Sequence, residues 1–292
     1  MPKKPTIEQN SRNVLTVRYD GIQAGWEEWV LLMSDNHHDS PHCRRDLETK
    51  HLQYAKDREA LILLNGDIFD AMQGKMDPRR SLDEVRPEDK GKDYFNRIVE
   101  HAADDYGPYA DLIALIARGN HETAVLDKTN TDLVSNLVYR LNQEHTSDGH
   151  IVYPGFYGGW VRFMFTYNTT KRASFRMKYN HGAGGSAPVT RGTIQTNRQA
   201  VYLPDADIVW NGHNHQSYIV PIARERLSAR GIVKRDLCWF VRTPGYNDGY
   251  GDGAEGYAVE RSGSGPMTNG SIWIKFFMDG DRIRCKPIPE IE

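Results

Sequence analysis

The chain has 292 residues, 39% hydrophobic and 26% charged, a composition that excludes a disordered chain and suits one large domain or two small ones. Its 37 lysines and arginines against 39 aspartates and glutamates leave a formal charge of -2, which excludes the strongly basic balance of a dedicated nucleic-acid or membrane-surface binder. Cys43, Cys238 and Cys285 are odd in number and too far apart for a Cys-x-x-Cys site, which points to reduced thiols in a cytoplasmic protein without a disulfide framework.

The first ten residues carry two lysines but no apolar stretch behind them, so they do not read as a secretory signal. The first ten residues are expected to form a frayed tail, with 1–25 as tail and lead-in to a single domain over 26–292. Apolar runs of strand length follow at 29–33, 60–64, 112–117, 151–153, 161–167, 175–179, 208–210, 218–222, 237–241 and 272–277, each bounded by Gly, Asn, Asp or Pro. None approaches the roughly 18 to 20 apolar residues that cross a bilayer, so no membrane partner is expected. Helical spacing recurs at 44–58, 94–103, 132–143 and 192–202. The early β-α-β-α order and the later predominance of strands predict an α/β fold. It would be a layered sandwich of two mixed β-sheets flanked by helices, parallel early and more antiparallel late. Two segments read as insertions: 70–109, charged and partly helical, and 245–270, with eight glycines in 26 residues. Long irregular segments of this kind are either functional or surface decoration.

The chemistry sits where the strands end. Ser34-Asp35-Asn36-His37-His38-Asp39 follows the first run, Asn65-Gly66-Asp67-Ile68-Phe69-Asp70 the second, and Arg118-Gly119-Asn120-His121-Glu122 the third. Asn180-His181-Gly182 and Asn211-Gly212-His213-Asn214-His215 follow two later runs. In open α/β sheets the ligand crevice lies at the carboxyl ends of strands, so five such clusters can converge on one metal site. Carboxylate, amide and imidazole donors without thiolate suit manganese, with iron, zinc, cobalt or nickel as alternatives. Seven donors exceed the needs of one ion, and a bridging Asp67 would hold two cations about 3.5 to 4 Å apart. A lone His or Gly-Asp pair is ordinary turn chemistry; the ordered set is what carries the reading.

Those segments resemble the calcineurin-like metallophosphoesterases, whose pattern is D-x-H, G-D-x-x-D, G-N-H-[D/E], an isolated H, and G-H-x-H. Here they are Asp35-Asn36-His37, Gly66-Asp67-Ile68-Phe69-Asp70, Gly119-Asn120-His121-Glu122, His181 and Gly212-His213-Asn214-His215. The resemblance implies one metal held by Asp35, His37, Asp67 and His215, and a second by Asp67, Asn120, His181 and His213. It implies that His121 acts as general acid or charge stabiliser at the phosphate, and that Asp70 orients it. The reaction implied is in-line attack on phosphorus by a hydroxide bridging two divalent cations. His38 would be a ligand only if the register shifted by one; otherwise His38, His42 and Cys43 are helix-start or packing residues.

The substrate is less sharply marked. Gly-Asp-Ile-Phe-Asp and Gly-His-Asn-His resemble the phosphodiesterase and repair-nuclease forms, whereas Arg118-Gly-Asn-His-Glu resembles the protein-phosphatase form, in which the arginine contacts phosphate. Only 77 residues follow His215, short of the capping domain a repair nuclease carries. Between Asp148 and Asp205 there are seven basic residues and no acidic one. That stretch surrounds His181 and favours a polyanionic substrate, unless its charges are merely the solvated alternate positions of two strands. The leading expectation is a phosphodiesterase or nuclease acting on nucleotides or nucleic acid. The alternatives are a phosphomonoesterase for a small phosphate or phosphoprotein, and a non-catalytic metal-binding scaffold.

Overall fold

The elements run β1 (Thr6–Ser11), β2 (Val14–Ile22), β3 (Glu27–Met33), α1 (Arg45–Asp57), β4 (Leu61–Asn65), α2 (Tyr94–Tyr106), β5 (Ile113–Ala117), α3 (Asn120–Thr129) and α4 (Leu133–Arg140). They continue with β6 (Tyr153–Pro154), β7 (Gly158–Tyr167), β8 (Lys171–Asn180), α5 (Thr193–Tyr202), β9 (Ile208–Asn211), β10 (Tyr218–Leu227), β11 (Val233–Arg242), β12 (Gly270–Asp279) and β13 (Arg282–Ile291). The computed structural model describes residues 4–71, 84–147, 149–167, 170–184, 192–228, 230–250 and 267–292.

The strands form a six-stranded sheet in the order β13-β12-β3-β4-β5-β6 and a seven-stranded sheet in the order β1-β2-β7-β8-β9-β11-β10. The unbroken apolar runs of β3, β4 and β5 pair in parallel at the centre of the first sheet, as strands buried on both faces should. Val30, Leu32, Leu61 and Leu63 point into the core shared with the other sheet. Leu31, Met33, Ile62 and Leu64 point into the core formed with α1, α2 and α4. Between the sheets, Tyr19 stacks on Phe165 with ring centroids 5.4 Å apart, and Phe165 meets Phe276 at 5.1 Å, so aromatic contacts join β2 and β7 to β12 across the sandwich. A smaller apolar cluster of Val209, Cys238 and Phe240 is covered by residues of α5 on the far side of the second sheet. The layered α/β sandwich of two mixed sheets is therefore the architecture observed, and among the described residues no helix is long and apolar enough to cross a membrane.

Three expectations change. The expected frayed tail is ordered from Thr6 onward: β1 pairs antiparallel with β2, and β2, in the lead-in, pairs in parallel with β7. The cause is the alternation of Leu15, Val17 and Tyr19, each at most 3% exposed, which gives this segment one core-facing side. Second, 70–109 is not wholly decoration, because Tyr94, Ile98, Val99 and Tyr106 of α2 are buried in the helix-side core. Its residues 72–83, like 251–266 of the glycine-rich segment, lie outside the described residues. Third, the last ten-residue strand, β13, carries Pro287 and Pro289 and was not marked by the apolar runs; it occupies the sheet edge, where proline is tolerated.

Candidate metal centre

The ends of β3, β4, β5, β8 and β9 meet at one edge of the sandwich, and the backbone there is unusual. Asp35, His37, Asp67, His213 and His215 all have positive φ, between 47° and 78°, a conformation that costs a non-glycine residue roughly 1 to 3 kcal/mol. It is held in place by main-chain bonds between loops: Asp35 N donates to Gly66 O at 2.9 Å, His37 N to Asp67 O at 3.0 Å, and Gly212 N to His181 O at 2.9 Å. Gly66 also has φ +81°, and a Cβ there would lie 2.6 Å from both Gly119 N and His181 Nδ1. Only glycine lets the loops after β4, β5 and β8 approach this closely.

Four groups of candidate donors occur among the described residues: two hold six of the seven expected ligands, His37, Asp70 and His121 form a third, and His38, Cys43 and Glu48 a fourth. Asp35, His37 and His215 place one ligand atom each within 4.8 Å of one another, and so do Asp67, His181 and His213. In the first, His37 Nδ1 bonds Asp70 Oδ1 at 3.0 Å, which leaves its Nε2 facing His215 Nε2 at 3.3 Å. In the second, His181 Nδ1 donates to Asn65 O at 2.8 Å, so its Nε2 faces Asp67 Oδ2 at 3.0 Å and Asn120 Oδ1 at 3.2 Å. Asn120 Oδ1 also lies 2.7 Å from His213 Nδ1. Imidazoles whose outer nitrogens are fixed by protein acceptors present their inner lone pairs to a cation, and the donor set of carboxylate, amide oxygen and imidazole fits first-row divalent ions. All seven expected ligands are thus brought together.

The electrostatics of these groups are those of a site assembled for positive charge. Burial lowers the His37 imidazole pKa, but the Asp70 hydrogen bond and the charges of Asp70, Asp67 and Asp35 outweigh it and raise the pKa to about 9. His181 is likewise opposed by burial yet is raised to about 10 by Asp67, Asp35 and its bond to Asn65. Burial lowers His215 to about 4 against the pull of Asp35, and His213 is lowered by burial and by the charge on His181. Asp67 is held well below the usual carboxylate range because the histidine charges of His181, His121 and His37 overcome its desolvation.

His121 stands beside both groups. Its main-chain N–H donates to Asp67 Oδ1 at 3.0 Å, and its Nδ1 donates to the main-chain oxygen of Asp70 at 2.7 Å. The Asp70 carboxylate, expected behind His121, is nearer to His37: Oδ1 is 3.0 Å from His37 Nδ1 and 3.4 Å from His121 Nδ1. Asp70 therefore orients both rings, one chiefly by its side chain and the other by its backbone. Arg118 forms an ion pair with Asp132 and lies 5.2 Å over the Phe156 ring, an arrangement that ties it to the start of α4. His38 is an internal buttress, with Nδ1 2.9 Å from Glu48 and Nε2 2.9 Å from Asp105.

Two buried carboxylates absent from the expected set hold the loops. Glu122 accepts from Asp67 N at 3.1 Å, Phe69 N at 2.9 Å and Gly119 N at 2.7 Å. Asp39 accepts from Asp70 N at 2.6 Å, Ala71 N at 2.9 Å and the Tyr94 hydroxyl at 2.6 Å. Glu122 was legible as the third residue of a helix beginning after Gly119, where a glutamate reaches back to the helix start. No local pattern marks Asp39, because its partners are 31 to 55 residues away.

The basic stretch resolves into sheet alternation. Arg162, Arg172, Arg176 and Lys178 occupy the positions of β7 and β8 opposite the inward-facing Val161, Phe163, Phe175 and Met177. Arg176 pairs with Asp205 and Asp207, Arg162 donates to Thr16, Lys171 pairs with Asp281, and Lys178 lies over Trp160. Arg162, Arg172, Arg176 and Lys178 therefore belong to the outer face of the seven-stranded sheet, whereas Lys171, at the start of β8, reaches the β12–β13 turn of the other sheet.

The calcineurin-like phosphoesterase family model matches residues 29–217. No curated protein matches the sequence. Among solved structures the chain is similar to vacuolar protein sorting 29 from Cryptosporidium parvum, at 12% identity over 92% of this chain and 100% of that one, with a TM-score of 0.37. It is similar to zinc-complexed Vps29 from Entamoeba histolytica, at 8% identity over 89% and 98% with a TM-score of 0.34. It is also similar to GAP50, the anchor in the inner membrane complex of Plasmodium, at 12% identity over 90% and 84% with a TM-score of 0.42. The family match spans every strand end from Asp35 to His215 whose donors the fold gathers, so the chain belongs to the calcineurin-like phosphoesterases and is a metal-dependent phosphoester hydrolase.

Proposed function

We propose that the chain is a two-metal phosphodiesterase acting on nucleotide-type diesters. Asp35, His37 and His215 would hold one cation and Asn120, His181 and His213 the other, with Asp67 available to both; manganese is the proposed native ion. The observation that carries this reading is the meeting of two three-residue donor groups beside a single histidine, His121, that belongs to neither. Two divalent cations bound there supply Lewis acidity toward phosphoryl oxygens and a nucleophile from water at neutral pH.

The remaining work falls to the protein. The bonds from His121 N–H to Asp67 and from His121 Nδ1 to the Asp70 carbonyl fix the ring with Nε2 3.9 Å from Asp67 Oδ2. A proton carried on that Nε2 is placed for delivery to the departing alkoxide. The ordering of donors by Gly66, Glu122 and Asp39 means that little reorganisation accompanies substrate binding.

A diester is favoured over a phosphoprotein by the commitment of Arg118 to Asp132 and by Ala71, where the protein-phosphatase form has arginine. A compact nucleotide diester is favoured over extended duplex DNA by the outer-face position of the basic residues of β7 and β8. The test is a hydrolysis panel with added manganese: bis(p-nitrophenyl) phosphate, p-nitrophenyl phosphate, cyclic nucleotides, and single- and double-stranded oligonucleotides. The expected outcome is at least a tenfold higher kcat/KM for the diester than for its monoester. A monoester preference would replace the reading with the phosphomonoesterase one, and metal uptake without hydrolysis of any substrate would replace it with the scaffold one.

A further inference from the structure

At the last residue of β11, opposite Asn211 in the parallel ladder with β9, stands Arg242. It is 1% exposed, yet among the described residues it makes no ion pair with a carboxylate, and its Nε and Nη1 have no hydrogen-bond partner. Its one hydrogen bond is from Nη2 to Gln195 Oε1, at 3.3 Å, and its guanidinium lies 5.0 Å over the Tyr218 ring. A buried guanidinium without an acceptor is costly, so structures that keep one supply its partner from elsewhere.

The surroundings indicate what that partner is. Arg242 Nη1 and the Asn214 side-chain amide both crowd the bare Cα of Gly192, where a Cβ would strike the guanidinium and come within 3.0 Å of Asn214 Nδ2. Asn214 sits between His213 and His215, one from each donor group, and Asp35 is close enough to act electrostatically on Arg242. Nitrogen donors thus gather beside the metal ligands while the acceptor is missing, the inverse of a structural salt bridge. A planar guanidinium with two free N–H directions matches the oxygens of a phosphoryl group.

We propose that Arg242, assisted by Asn214, is a substrate-binding residue that takes a phosphoryl oxygen of the substrate at the rim of the metal centre. The inference rests on the phosphoesterase reading above and adds the residue that grips the anion. The cation-π contact with Tyr218 then serves to hold the guanidinium in position when no anion is bound.

The experiment uses the metal-loaded full chain and inorganic phosphate as probe, titrated by calorimetry against wild type, Arg242→Gln, Arg242→Lys and Asn214→Ala, with metal content and thermal unfolding measured on each. Expected results are a phosphate Kd raised at least tenfold in Arg242→Gln, a smaller rise in Arg242→Lys and in Asn214→Ala, and unchanged metal content in all. Kinetically, the loss should appear as a raised KM for bis(p-nitrophenyl) phosphate. Asn214→Ala leaves β11 intact, so it carries the test if Arg242→Gln does not fold. Wild-type phosphate affinity in a folded, metal-loaded Arg242→Gln, or in Asn214→Ala should it stand alone, overturns this inference while leaving the phosphoesterase reading in place. A wild type that binds metal but neither binds phosphate nor hydrolyses any ester overturns both.

Discussion

Asp67 and His121 are neighbours with different duties, and substitution separates them. Asp67 is the carboxylate that faces His181 at 3.0 Å and takes the main-chain N–H of His121; Asp67→Ala is expected to abolish both metal binding and turnover. His121 belongs to neither of the two groups that hold the expected ligands, although it forms a further group with His37 and Asp70; as a general acid and not a ligand, His121→Ala should retain both ions and lose about 10²- to 10⁴-fold in kcat, the usual contribution of a positioned general acid. Metal analysis alongside kinetics decides the matter, and equal metal loss in the two variants would show that His121 is a ligand. The imidazole shifts give a second prediction. Without metal, His37 and His181 titrate near 9 and 10 and are protonated at pH 7, whereas His215, near 4, is already neutral. Loading the site at pH 7 must therefore expel about two protons, and metal affinity must rise with pH until about 9 to 10. The stability of the metal-free chain runs the other way: raised folded-state pKa values give stabilisation that is full below the unfolded value of about 6.5 and fades as pH climbs through 9 to 10. Calorimetry in buffers of different ionisation enthalpy counts the protons directly, and release of none would mean that the two imidazoles are neutral in the empty site.

The elements that bear the ligands depend on carboxylates that touch no ligand side chain. Glu122, in the first turn of α3, ties three main-chain N–H groups from the β4 and β5 loops into one cluster. Glu122→Gln keeps its shape but sets an amide N–H against N–H groups, and the expected result is a metal affinity lowered about 10- to 100-fold, as for other groups that orient ligands, with the fold retained. Circular dichroism and metal titration check it, and unchanged affinity would show that the loop is held by backbone bonds alone. How far these elements could be read beforehand follows from the range of the forces involved. The apolar runs of β3, β4, β5, β7 and β9 and the helical spacing of α1, α2, α4 and α5 are local patterns, and they placed those elements. The seven proposed ligands were readable because each follows such a run. Asp39 and the pairing of Asp70 with His37 were not, because they depend on contacts between loops brought together only by the sheet order. The edge strands β1 and β13 escaped for another reason: one is mostly exposed and the other carries two prolines, so neither has the apolar density that marks a central strand.

For the molecule as a whole, the arrangement of charge decides the scale of substrate it can hold. The net charge is -2, and Arg162, Arg172, Arg176 and Lys178, near His181 in sequence, lie on the outer face of the seven-stranded sheet, where Arg176 already has Asp205 and Asp207 as partners. Of these cations, Arg176 is held by Asp205 and Asp207, Arg162 donates to Thr16 and Lys178 lies over Trp160. Recognition should then rest on the one or two phosphates gripped at the metal centre, not on a long run of backbone contacts. For a single-stranded oligonucleotide substrate, log(kcat/KM) against log[salt] should fall with a slope no steeper than about -1 to -2, since each neutralised phosphate of a single strand contributes roughly -0.7. A slope of about -5 or beyond would require about seven or more phosphate contacts. It would mean that an extended nucleic-acid path runs over the molecule, and the compact nucleotide diester would have to give way to a polymer as the substrate.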